Sequence, residues 1–119
     1  MKLPGPDHPI TIVPNARRVR VTFAGRAIAD TTRALILTEA SYKPVIYSPR
    51  ADADMSLLTS TDNRTHCPYK GDASYFSITA DGRSAENAVW SYELPFPAMA
   101  EIKEYLAFYP NRVDAIEEI

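Results

Sequence analysis

The segment Arg17-Arg18-Val19-Arg20-Val21-Thr22-Phe23-Ala24-Gly25 constrains the fold more than any other part of the chain. Val19, Val21 and Phe23 fall on one side of an extended backbone and Arg18, Arg20 and Thr22 on the other, the period of a half-buried strand. Gly25 supplies the positive φ of a tight hairpin, and "RAIAD" reads as the returning strand. The same logic recurs downstream. "ITIV" is a short β-branched run closed by Pro14-Asn15, and "RALILTEA" is apolar on both faces, as in a central strand. "KPVIYSPR" sits between two prolines and reads as an edge strand. "ASYFSITA" alternates, with Phe76 and Ile78 opposite Tyr75, Ser77 and Thr79, and Asp81-Gly82 after it is a hairpin turn. "NAVWSYEL" then places Trp90 and Tyr92 on one face.

Helical signals are few. Ser48 as N-cap with Pro49 at the first helical position predicts one or two helical turns in "SPRADADMSLL". "STDNRT" reads as a polar loop. A short helix near 97–103, a strand near 105–109 and a short strand or frayed tail in "NRVDAIEEI" complete the chain. The expected architecture is mainly β, with about eight short antiparallel strands in a sandwich or partly closed barrel and one or two short helices.

A chain of 119 residues has material for one core, so 1–119 reads as a single domain. Residues 1–9, with three prolines and a glycine, read as an N-terminal arm. Apolar residues make up 45%, enough for a core without staples. The single cysteine excludes an internal disulfide, and with two histidines no ordinary zinc set of Cys and His can form, so no metal site is expected. One retained thiol, an N-terminus without a signal-like apolar run and the lack of a membrane-length segment point to the cytoplasm. A net charge of −2 speaks against nucleic acid and membrane surfaces. Arg17, Arg18, Arg20 and Arg26 cluster around the first hairpin. A solvated strand face accounts for them more simply than an RNA surface with stacking tyrosines.

Chemistry-bearing residues gather in two places. "THCPYKG" holds the only thiol. Pro68 and Gly71 make this sound turn chemistry by itself, and a free cysteine is ordinarily a small buried hydrophobe. In an extended segment His66 and Cys67 point to opposite faces, which leaves Lys70 as the cation able to favour a thiolate. His8, folding over from the arm, is the other candidate partner. The second group is Glu39, Tyr47, Arg50 and Asp52. Glu39 ends an apolar strand and needs water or a cation, and an internal Glu39–Arg50 ion pair is the simple solution. Arg50 could instead clamp an anionic group. Asp52 and Asp54 suit a helix start.

The segments "IADTTRALILTE", "VIYSPRADADMSLL", "THCPYKGDASYFSI", "AVWSYELP" and "YLAFYPNRVD" occur in that order. Together they resemble the bacterial "domain of unknown function four-twenty-seven" family, which also carries a nucleotidyltransferase label. The resemblance covers the chain from Pro9 onward, and its most specific piece runs from Cys67 to Tyr75. It implies a small mostly-β fold with signature positions Glu39, Tyr47, Arg50, Cys67, Lys70, Gly71, Tyr75, Trp90 and Tyr92.

The residues then support a small-molecule pocket, catalytic or not. Cys67, Lys70 and Glu39 are its candidate catalytic groups. Arg50, Tyr47, Tyr75, Trp90 and Tyr92 are its candidate ligand-binding groups, with a small anionic molecule as partner. No cofactor is named by any motif. The alternative is a non-catalytic binding or scaffold module in which the same residues are structural. A nucleotidyltransferase-like activity is a lesser reading, because phosphoryl transfer wants metal-binding carboxylates and a phosphate cradle. Exposed aromatics and a free edge strand would suit a homodimer.

Overall fold

The computed structural model describes residues 1–119. Its ten strands are β1 (Ile10–Pro14), β2 (Val19–Phe23), β3 (Arg26–Thr31), β4 (Leu35–Glu39), β5 (Val45–Tyr47), β6 (Leu58–Cys67), β7 (Gly71–Ala80), β8 (Arg83–Ser91), β9 (Ala107–Phe108) and β10 (Ala115–Glu118). They form three antiparallel sheets in the orders β1-β4-β5, β10-β2-β3 and β6-β7-β8-β9. No sheet closes into a barrel, and no helix is long and apolar enough to cross a membrane. The mainly-β expectation holds, with two more strands than the alternation showed.

Alternation explains the core. Val21 and Phe23 of β2 join Ile28, Phe76, Ile78, Val89, Leu106 and Phe108 in one apolar cluster. Leu37, Tyr47, Ala73, Tyr75, Tyr92, Ile102 and Ala107 form a second. Successive residues of β7, β8 and β9 are divided between the two, so the four-stranded sheet is buried on both faces around these strands. Both two-residue hairpin turns, Ala24-Gly25 and Asp81-Gly82, have positive φ at each position, the geometry that matches the twist of the strands they join.

Several local expectations are corrected. "STDNRT" is not a loop but the middle of β6, an edge strand paired with β7. Its polar residues face solvent on an outer strand, so apolar alternation never develops. Ser48 does not cap a helix. Its backbone bridges Leu106, and Pro49 takes the cap position before a single 3-10 turn, Arg50–Asp52. A second turn, Met55–Leu57, follows separately with Asp54 as its N-cap, accepting from the Ser56 amide. The segment Pro97–Ile102 is also 3-10 in character, and the strand after it shrinks to Ala107–Phe108.

Candidate functional site

β4 and β5 present alternate residues to a common space. Leu37 and Glu39 project from β4, and Val45 and Tyr47 from β5, each pair two residues apart and therefore on one face. Tyr75 of β7 stands directly across from Trp90 of β8, and Tyr92 follows two residues later. Tyr109 arrives just after β9. Tyr42 and Lys43, from the turn between β4 and β5, complete the wall with Lys70. These side chains enclose a cavity of about 300 Å³.

The aromatic wall is cross-braced. The Trp90 indole Nε1 donates to the Tyr47 hydroxyl at 3.3 Å, and the two rings meet edge-on at 6.4 Å. Tyr109 lies 4.5 Å from Trp90, and its hydroxyl shares a 3.2 Å hydrogen bond with that of Tyr75. Tyr75 also bonds the Thr65 hydroxyl at 3.0 Å. Burial pushes Tyr47 and Tyr92 well above the ordinary phenol range, and burial with the Tyr75 contact pushes Tyr109 up to about 12. All three are neutral phenols at physiological pH.

The polar end is an ion pair. Lys70 donates through Nζ to Glu39 Oε1, with the side chains only 9% and 16% exposed. His8 pairs with the other carboxylate oxygen at 2.7 Å and stacks on Tyr69 with ring centroids 4.0 Å apart. Burial of Glu39 works to raise its pKa, but the hydrogen bonds from Lys70 and His8 outweigh it and hold the carboxyl below its usual range.

The Cys67 loop explains how Lys70 gets there. Cys67 and Gly71 are the closing pair of the β6–β7 hairpin, and Pro68, Tyr69 and Lys70 make the turn. The Lys2 amide donates to the Pro68 carbonyl at 2.7 Å, and the Phe96 amide donates to the Lys70 carbonyl at 2.9 Å. Gly71 has φ +108°, a left-handed conformation that side-chain-bearing residues rarely adopt.

Of the residues expected at a site, Glu39, Lys70, Tyr47, Tyr75, Trp90 and Tyr92 all line this cavity. Cys67 does not. It is half-buried against the second apolar cluster, on the same face as Thr65 and Tyr75 but outside the cavity lining, and Lys70 is committed to Glu39 rather than to the thiol. Arg50 does not reach the cavity either, and the expected Glu39–Arg50 pair is absent. Arg50 donates to the Ser91 hydroxyl at 2.9 Å and to the Glu104 carbonyl at 3.1 Å, and pairs with Glu93 at 3.5 Å. Its guanidinium sits over Phe76. Ser91 and Phe76 alternate with Trp90 and Tyr75, so Arg50 occupies the opposite face of the sheet. His66 points outward to Asp72, as strand geometry requires. Asp52 is taken up by Thr31 and Arg33.

Sequence reasoning missed Tyr42, Lys43 and Tyr109, and it assigned His8 to the thiol rather than to Glu39. Tyr109 had a usable signal, since it falls two residues from Ala107 on the face that carries the second cluster. Nothing local marked the other three.

Among curated proteins, none matches the chain. A family model does match it across residues 11–119, nearly its whole length, and extends over every strand that builds the cavity. The chain therefore belongs to the family described as Domain of unknown function (DUF427).

Proposed function

We propose that the tyrosine-walled cavity is a binding site for a small planar molecule carrying one anionic group. The carrying observation is a wall of Trp90 and Tyr42, Tyr47, Tyr75, Tyr92 and Tyr109 with Lys43, Lys70 and Glu39 as its only charged members. Aromatic walls with a few convergent polar groups are the usual make-up of a small-molecule site, and about 300 Å³ is at the small end of that class. Two lysines face one carboxylate. With Lys70 neutralised by Glu39, Lys43 is left to attract an anion, and the Tyr92 hydroxyl, which hydrogen-bonds no other side chain, is free to orient it.

Binding is favoured over thiol catalysis, because Cys67 is not among the residues that line the cavity and Lys70, the cation expected to favour its thiolate, is paired with Glu39. If the site performs chemistry, Glu39 and Lys70 are its proton-transfer pair. A purely structural role is the second reading. It is supported by the mutual satisfaction of Lys70, Glu39 and His8.

Trp90 is the chain's only tryptophan and reports on the cavity directly. Titration with benzoate and indole-3-carboxylate should give a saturable change in its emission and raise the melting temperature by mass action. The corresponding neutral amides should respond less, and Lys43→Met should weaken the acids about tenfold. Absence of any response to either acid at millimolar concentration would leave the structural reading.

A further inference from the structure

Trp90 and Val45 also wall a second cavity, of about 320 Å³, on their far side. Its other walls include Ile46, Phe108 and Ile116, and it holds one orphan: the Ser48 hydroxyl, on a residue 1% exposed, has no hydrogen-bond partner. Buried hydroxyls are ordinarily paired, and leaving one unpaired costs about 1–3 kcal/mol.

The cavity's position explains why it exists. β5, β9 and β10 are each the last strand of their sheet, and all three contribute to its walls. It is the gap where three sheet edges converge, with only the single Ser48–Leu106 bridge joining the end of β5 to the start of β9. Pro44 and Pro110 flank it. Neither has an amide hydrogen to offer an incoming strand, so the rim is unsuited to accepting a peptide or a second copy by edge pairing.

We infer that this gap is a second binding site, for a small neutral molecule with an apolar ring or short chain and a single hydrogen-bond acceptor that Ser48 engages. The size suits one or two rings, since apolar cavities about half as large already hold benzene. No charged side chain lines it, which excludes the anions proposed for the first cavity. This inference does not depend on that proposal.

The test is a pair of probes, benzyl alcohol and toluene, followed by amide and indole NMR on the full chain. Benzyl alcohol should shift Ser48, Ile46, Phe108, Ile116 and the Trp90 indole, saturating in the millimolar range, with toluene several-fold weaker. Ser48→Ala should equalise the two probes while raising the melting temperature, since it removes an unpaired buried polar group. Ile116→Phe, on the half-buried edge strand β10, should fill the gap and abolish both responses with the fold retained. Lys43→Met should change neither. The inference is overturned if the shifts are absent or scattered, or if Ser48→Ala leaves the preference for benzyl alcohol intact. It is equally overturned if the same residues respond only to rising protein concentration, which would assign the gap to a second copy.

Discussion

Lys70 and Glu39, 31 residues apart in sequence, meet as a largely buried ion pair at the polar end of an aromatic cavity. The pair joins the β6–β7 turn to the end of β4, elements of different sheets that share no strand pairing. Removing Glu39 strands Lys70, and removing Lys70 leaves the half-buried Glu39 carboxylate with His8 alone. Lys70→Met is therefore expected to cost about 3 kcal/mol in urea unfolding, and Glu39→Gln a similar amount. The double variant should be more stable than the sum of the two losses implies. Strict additivity would show that the pair carries no coupling energy.

Glu39 also sets an acid limit. Its carboxyl lies below an ordinary glutamate near 4.5, so the folded state holds the proton less tightly than the unfolded chain. The stabilisation is complete above the unfolded value and is lost as pH falls through the lower, folded one. Melting temperatures of wild type and Glu39→Gln should differ at pH 6 and converge progressively below pH 4.5. A gap that persists unchanged at pH 2.5 would assign the effect to packing instead of charge.

Much of this fold was legible because burial writes period two into a strand. β2, with Val19, Val21 and Phe23 inside, could hardly be read otherwise, and Gly25 and Gly82 marked their turns. β6 was not legible. It is held by backbone pairing to β7, a bulge between Ser60 and Arg64 breaks its register, and Thr61 bonds Asn87 of β8. None of these needs an apolar residue. The cavity's members were largely legible as strand-end polar groups and aromatics, but the pairing of charges was not. Whether Glu39 meets Arg50 or Lys70 depends on which face of the sheet each approaches, and that is decided by long-range topology.

Gly71 controls where Lys70 points. With φ at +108°, a Cβ at this position would meet Leu94 O and Phe96 N at 3.6 Å, ordinary contact, so the obstacle is conformational rather than spatial. Gly71→Ala should cost about 1–2 kcal/mol and loosen the β6–β7 turn. Its signature should be a reduced Lys70–Glu39 coupling in the double-variant comparison above. An alanine variant as stable as wild type would show that the turn relaxes freely.

Cys67 is expected to behave as a packing residue. Cys67→Ala should lower stability by about 1–2 kcal/mol through the lost sulfur contacts, while leaving the Trp90 response to aromatic acids within twofold of wild type. Alkylation should be slow in the native chain and accelerate on unfolding. A folded Cys67→Ala variant that has lost the Trp90 response would place the thiol in the site.

The tyrosines give the alkaline counterpart of the Glu39 argument. Burial raises Tyr47 and Tyr92 well above the ordinary phenol range, and Tyr109 to about 12. An acid whose folded pKa exceeds its unfolded value near 10 resists ionisation in the fold, so stability is intact below pH 10 and falls as pH rises above it. Phenolate absorbance at pH 11 should therefore fall short of the seven tyrosines in the chain, with the remainder appearing together with loss of the native Trp90 emission. Tyr47→Phe should shrink that late component and leave the Trp90 indole without its acceptor, at a cost of about 1–2 kcal/mol. Full ionisation at pH 11 with the Trp90 signal unchanged would mean that the aromatic wall is open to hydroxide, and the cavity would then be too wet to select a planar ligand.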